Sequence, residues 1–500
     1  MELPVTPVGK QNLTFKDELG IIQQNQLAAE ESLQHVRAKI KDQKEQLYRQ
    51  IEGLQYQVLV LKNQEDDLVD AIKRWHNKLP PEILRHIFKC CVHEKQVEAI
   101  PVTYKGGAYT ISHVCSAWRH IALDTPELWT GISLQLTKEN EKQIRVAREW
   151  LSRARTLPRS ISIKQGSLEC DGWGNNIILN LVAHYPLRSL ELTLPHKQLK
   201  QLEGLLDQSL STLEVLQLKR SSGSGLLPLP FRPTDTLPKM DVLVLDGGWD
   251  LDNLSAVNSW CGIVHLNIDQ RISVRLCVMI LQQCSQVEFC SLHVQSTDAV
   301  STVPEIILPQ IRCLYIYTGG TTTEFLVDAV TAPKLKDFSF LRDESSFHVY
   351  SDINTAAFCQ MIERCQGLKY LTTFRVGPTS EPLNTLTLLE KLPHLETIQI
   401  ENGILDEDAI NRISLGKVGS KLRRMIFESE HDANEILRMV EARQQNVSLN
   451  SCGPLAKISS FTEITFNCEH LSSSSKEDVI SRKNALENSQ GEVNINLKFD

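Results

Sequence analysis

The residues of this chain that could do chemistry do not fall at catalytic spacings. His93-Glu94 opens like a zinc-binding helix, but the second histidine that such a helix needs does not follow. Gly223-Ser224-Gly225 lacks the strand–glycine–helix setting of a nucleotide fold. There is no P-loop and no Gly-x-Ser-x-Gly elbow. The 13 cysteines are scattered and form no Cys-x-x-Cys pair. Cys284, Cys290, Cys313, Cys359 and Cys365 fall mostly in strand-like or helix-like stretches, where buried cysteine behaves as a small hydrophobe. His113 reads as a helix-surface residue. No catalytic residue, metal ligand or cofactor is expected. The enzyme alternative is an unrecognised site among the repeats described below, which reproducible turnover of a small molecule would reveal.

The chemistry that remains is recognition, and residues 79–129 carry its densest signal. The segment opens Leu79-Pro80-Pro81-Glu82-Ile83-Leu84-Arg85-His86-Ile87-Phe88. It resumes at Val114-Cys115-Ser116-Ala117-Trp118-Arg119 and closes with Pro126-Glu127-Leu128-Trp129. The two prolines suit a helix start, where a missing N–H costs nothing. Ile83, Leu84, Ile87 and Phe88 form an apolar stripe at helical spacing, and Val114, Trp118 and Ile121 form a second. The expectation is a pair of short amphipathic helices with more apolar surface than so small a unit can bury on itself. Such an excess implies a docking face; two ordinary core helices of a larger domain are the alternative.

In these motifs the segment resembles an F-box, in the form common in fungal F-box proteins. The resemblance covers about a tenth of the chain, and a polar insert from about Cys91 to Thr110 departs from it. It implies binding of a Skp-type adaptor and, through that adaptor, of a cullin–RING ubiquitin ligase. It assigns adaptor contacts, in or beneath the interface, to Leu79, Pro80, Pro81, Ile83, Leu84, Ile87, Phe88, Val114, Cys115 and Trp118.

Composition is that of an ordinary globular protein, 41% hydrophobic and 23% charged. The formal net charge of −8 argues against a nucleic-acid partner, which calls for a basic face. No apolar run approaches the length that spans a bilayer. Met1-Glu2-Leu3-Pro4 lacks the basic-then-apolar order of a secretory signal, so a cytoplasmic or nuclear location is expected and the glycosylation-like triplets at Asn12, Asn253 and Asn446 read as accidental.

The elements that must position the docking surfaces follow from periodicity. After a flexible stretch, 1–12, residues 13–76 read as one polar helix. Leu19, Leu33, Ile40, Leu47, Leu54, Leu61, Leu68 and Trp75 share a seven-residue frame, interrupted by Gln26. Ile51, Val58 and Ile72 fill the companion positions, while Arg37, Lys44 and Glu65 weaken them. That is a coiled-coil pattern. It permits self-association as a homo-oligomer, a strut for the F-box at 77–130, or packing within the molecule.

Residues 131–186 read as a linker with strands at Ile132–Leu136 and Ile161–Ile163 around a helix. From 187 to 466 an apolar triplet recurs roughly ten times at about 26-residue spacing, as in Leu187-x-x-Leu190-x-Leu192 and Leu213-x-x-Leu216-x-Leu218. The period lies in the leucine-rich-repeat range, and stacked units would share a core and curve into a horseshoe. The unit placed at Leu368-x-x-Leu371 lacks its third apolar residue. Residues 467–500, with Ser472-Ser473-Ser474-Ser475, read as a polar, flexible tail.

The expected architecture is therefore α/β: coiled-coil helix, small helical F-box, irregular leucine-rich-repeat solenoid. Substrate contacts are expected on the strand face, between and just after the apolar positions, at Asn267, Asp269, His293, Tyr315, Tyr317, Thr372, Gln399, Glu401 and Glu428. Their mixed polar, acidic and aromatic character fits a protein substrate better than an anionic polymer. The function so implied is that of a non-catalytic substrate receptor. The alternative is a scaffold that binds the adaptor without a cullin and self-associates through the coiled coil.

Overall fold

The computed structural model describes residues 15–76, 79–93, 107–136, 140–165, 181–182, 185–202, 211–229, 240–251, 260–295, 303–319, 324–342, 353–450, 458–468, 473–490 and 493–499. The expected flexible stretch 1–12, the middle of the polar insert (94–106) and the triplet residues Asn12 and Asn253 lie outside these ranges. The protein is mixed α/β and divides into two compact units, Met1–Leu84 and Arg85–Asp500. The boundary falls inside a helix.

In the first unit, α1 (Phe15–His76) is a single helix of 62 residues, about 93 Å long at 1.5 Å per residue. Its described seam side chains are all open to solvent, from 47% exposed at Ile51 to 64% at Val58, Leu61 and Leu68. A short turn at Leu79 and Pro80 leads into α2 (Pro81–His93). Pro81 takes the first helical position, and the Pro80 carbonyl accepts the N–H groups of Ile83 and Leu84 at 3.0 and 3.2 Å.

The second unit continues with α3 (Gly107–Ser112), α4 (Ser116–Leu123) and a 3-10 turn, Pro126–Trp129. Three short helices therefore stand where the spacing predicts two. After them comes, among the described residues, one parallel sheet of fourteen strands in strict sequence order. Its strands are β1 (Gly131–Leu136), β2 (Arg159–Gln165), β3 (Leu187–Leu194), β4 (Val215–Arg220), β5 (Val242–Asp246), β6 (His265–Ser273) and β7 (Phe289–Gln295). They continue with β8 (Cys313–Thr318), β9 (Asp337–Arg342), β10 (Thr373–Val376), β11 (Thr397–Ile400), β12 (Arg424–His431), β13 (Glu463–Cys468) and β14 (Asn494–Phe499). The helix between β1 and β2, α5 (Asn140–Ser152), buries Ile144, Ala147, Trp150 and Leu151.

Register is set by the apolar triplet. Leu216, Leu243, Leu266, Cys290, Leu314, Phe338, Phe374, Ile398 and Met425 are Cα partners in turn and are all buried. A repeated backbone motif reinforces the alignment. The residue before each strand from β4 to β12 offers its carbonyl to two N–H groups of the next unit, as Glu214 does to Asp241 (2.8 Å) and Val242 (3.1 Å), and Lys336 to Thr372 (2.8 Å) and Thr373 (3.0 Å). Four of the intervening helices start on side-chain caps: Ser273, Asn354, Asn384 and Asp406 each accept a backbone N–H three residues on. One contiguous apolar core runs from Ile132 to Ile495.

Three expectations need correction. The 131–186 segment is not a separate linker, since β1 and β2 are the first strands of the same sheet. The unit placed at Leu368 begins instead at Leu371: Leu371-x-x-Phe374-x-Val376 is complete, with Phe374 paired to Phe338 and Ile398. Residues 467–500 are not a structureless tail, because a helix (Ser473–Gln490) and β14 extend the sheet past β13. Among the described residues no helix is long and apolar enough to cross a membrane.

Candidate functional site

Two surfaces answer to the sequence-predicted binding residues, and the helical module comes first. Along α2, Leu84 and Phe88 are one helical turn apart and buried, at 3% and 1% exposure. Ile83 and Ile87 repeat that spacing one residue earlier and remain open, at 49% and 40%. One residue rotates a helix by about 100°. The helix thus carries two apolar stripes, one buried and one left to solvent.

The second stripe has a firm support. Phe88 packs on Trp118 of α4 with ring centroids 4.9 Å apart. Cys115 caps α4, its Sγ accepting the Trp118 N–H at 3.4 Å. Arg119 Nε donates to the Ser112 carbonyl at 2.9 Å and ties α4 to the end of α3. Lys89 and Glu127 form an ion pair between α2 and the 3-10 turn. Trp129 anchors the module below: its Nε1 donates to the Ala122 carbonyl at 2.8 Å and its ring meets Trp150 of α5 edge-on at 4.6 Å. Val114 lies in the turn between α3 and α4 and is half exposed, and Leu79, Cys115 and Trp118 are partly buried. Pro80 and Pro81 are exposed. His113, expected at the surface, is exposed, stacks on Tyr109 at 3.9 Å and bonds its carbonyl.

The second surface is the sheet face opposite the buried triplets. Asn267, Ser291, Tyr315, Ser339, Arg375 and Gln399 are consecutive Cα partners on it. Around Tyr315 the side chains interlock. His265 stacks on Phe289 (4.2 Å, 2° between planes), Phe289 meets Tyr315 edge-on (5.3 Å), and His293 stacks on Tyr317 (4.5 Å). The Tyr315 hydroxyl donates to Asp337 at 3.0 Å, and His293 Nε2 lies 3.1 Å from Asp269. Five of the predicted residues, Asn267, Asp269, His293, Tyr315 and Tyr317, therefore form one patch across β6 to β8.

Gln399 shares the row further along; Glu401 follows the end of β11 and Glu428 lies within β12, each two residues after a position of that row, Gln399 and its Cα partner Ile426. Thr372 does not face this surface position; it sits in the turn before β10, and Arg375 occupies the equivalent place. His265, Phe289, Asp337 and Arg375 escaped the sequence reading. Their signal was the alternation itself: His265, Phe289 and Asp337 stand immediately before the middle apolar residue of their triplets, and Arg375 immediately after that of its own.

Electrostatics separates the two ends of this face. Burial pushes the His265 imidazole down, so it stacks as a neutral ring at neutral pH. Burial, then the Asp269 charge, pushes the Asp246 carboxyl up. Glu401 is pushed up to about 7, first by burial and then by Glu428, against the opposing pull of Arg342. Burial pushes the Cys277 and Cys284 thiols up to about 12, and these are inert core residues rather than nucleophiles. Among the described residues no group of three or more His, Cys, Asp or Glu is placed to hold a metal. What both surfaces can do is bind, the first through apolar area and the second through aromatic and polar side chains.

The comparison with protein families agrees with the helical module: residues 76–135 match the F-box-like family. Comparison with curated proteins gives no match to the chain.

Proposed function

We propose that this F-box protein is a substrate receptor of a cullin–RING ubiquitin ligase of the SCF type. The observation that carries the reading is the open Ile83–Ile87 stripe on α2, beside the buried Leu84–Phe88 stripe and within the segment that matches the F-box-like family. That stripe, with Val114 and the exposed edge of Trp118, docks the Skp-type adaptor, while Leu84 and Phe88 lie beneath the interface and hold its shape. The fourteen-stranded sheet is a leucine-rich-repeat solenoid, a reading supported by strictly sequential parallel pairing and the recurrent apolar triplet. Its open face holds a protein substrate, with the patch around Tyr315 as the contact centre. The chain itself performs no chemistry; tethering raises the concentration of substrate lysines near the ligase's conjugating enzyme. The reading places the protein in the cytoplasm or nucleus.

The test is co-purification of the full chain with the Skp-type adaptor and cullin, wild type against Ile83→Asp/Ile87→Asp. Each isoleucine is worth about 1.5–3 kcal/mol when buried, so the pair should weaken adaptor binding at least about 100-fold. Circular dichroism should stay unchanged because both side chains are exposed. Leu84→Asp is a poorer probe, since it would place a charge in the core. Loss of both partners supports the ligase. An adaptor complex that never recruits cullin supports the scaffold, for which the exposed seam of α1 is the favouring observation. No adaptor binding by the wild type removes both readings.

A further inference from the structure

We infer that α1 pairs with α1 of a second copy of this chain as an antiparallel coiled coil centred between Ile51 and Leu54. The inference is independent of the adaptor and substrate readings. It starts from the surface: α1 is 62 residues long, and Leu47, Ile51, Leu54, Val58 and Leu61 form an unbroken seam along its middle, every one of them exposed. About nine heptads of such a pattern far exceed the three or four that define a coiled coil. A second copy offers the one thing this seam fits without adjustment, an equal length of the same pattern.

Charge decides the direction. With the leucine row at the d positions, the a positions from 30 to 72 are Glu30, Arg37, Lys44, Ile51, Val58, Glu65 and Ile72. A parallel pair in register stacks each a residue on its own copy, so Glu30, Arg37, Lys44 and Glu65 each meet the same residue of the second copy. All four charged layers are then repulsive. An antiparallel pair centred between Ile51 and Leu54 sets a against d instead. Val58 then packs on Leu47 of the second copy, Lys44 on Leu61, Arg37 on Leu68 and Glu65 on Ile40. Glu65 lies between Arg37 and Lys44 of the second copy, three residues from one and four from the other, roughly 4.5 and 6 Å along the axis. Both cations are within reach of its carboxylate, and the two-fold axis creates that site twice. One flanking row is neutral from Val36 to Ala71 through Gln43, Gln50, Gln57 and Gln64; the other carries Lys41, beside Ile40, and Lys62, three residues before Glu65. A parallel stagger of three heptads would also bring Lys44 to Glu65, but it is heterologous and would not close at a dimer.

The experiment is light scattering and sedimentation equilibrium on the full chain at low salt. Wild type should be a dimer. Glu65→Lys places three cations together, and its dimer dissociation constant should rise at least about tenfold. The triple exchange Arg37→Glu/Lys44→Glu/Glu65→Lys reverses the three charges of this site and should recover most of the lost affinity, which a misfolded variant could not do. A parallel in-register coil predicts no effect of Glu65→Lys, since one like-charged layer replaces another. A monomeric wild type, species larger than a dimer, an unaffected Glu65→Lys or a triple exchange that fails to recover each overturns the inference.

Discussion

Arg443 shows what one buried side chain can hold together. It is fully buried, and its guanidinium donates to the carbonyls of Ser459 (3.0 Å), Ile413 (2.8 Å), Gly419 (2.8 Å), Ser420 (3.1 Å) and Leu422 (3.2 Å), over the ring of Phe461. These acceptors include the end of the helix Glu407–Ser414 and the turn before β12, so one cation satisfies backbone groups that helix ends leave orphaned. Arg443→Ala should cost about 3–5 kcal/mol, read as an earlier first transition in urea, and Arg443→Lys should recover little because an ammonium cannot reach so many carbonyls at once. Glu401 acts in the opposite sense. Its carboxyl is raised from 4.5 to about 7, so between these values the folded state holds a proton that the unfolded chain has released. Its effect is absent below about pH 4.5, grows destabilising as pH rises, and is complete above about 7. Glu401→Gln should therefore raise Tm by about 2–4 °C at pH 8 and leave it unchanged at pH 4, which differential scanning at the two pH values would check. The residue types of the helical module were legible before the structure. Which of two adjacent stripes is open was not, because Ile83 and Leu84 are equally apolar and only the packing partner distinguishes them.

At the scale of elements, hydrophobic period identified every strand from β3 to β12, and one register error shows its limit. Leu368 and Leu371 satisfy the three-residue spacing as well as Leu371 and Phe374 do. The backbone breaks the tie: Gln366, Gly367 and Leu368 all have positive φ (58°, 78° and 42°), a left-handed turn that ends the preceding helix before a strand can begin. The last helix was illegible for another reason. Within Ser473–Gln490 only Val479 is buried among the described side chains, so no apolar stripe marks it. The strand after it did leave a trace, the alternation Val493-x-Ile495-x-Leu497, which serine-rich composition nearby obscured. Ile495 is fully buried, and among the described residues β14 pairs only with β13. Ile495→Asp should detach this terminal element: limited proteolysis would cut within 473–499 while leaving the 131–468 sheet intact.

For the whole molecule, the sheet's connectivity matters more than any single strand. Each inner strand pairs with its immediate predecessor and successor and with no other strand of this sheet. Stability in such an array is carried by neighbouring interfaces rather than by one global closure. Urea unfolding of the second unit should therefore depart from two-state behaviour, and amide exchange should be fastest at the edge strands β1 and β14 and slowest near β6 to β9. Uniform protection across all fourteen strands would contradict this. The same connectivity bears on how the protein is made. A strand emerging from the ribosome finds its partner already synthesised, between 22 residues earlier (His293 after Arg271) and 39 residues earlier (Ile464 after Met425). At about 5–20 residues per second the wait is roughly 1–8 seconds. No strand inside the sheet waits for the far end of the chain, so the sheet can be laid down in the order of translation.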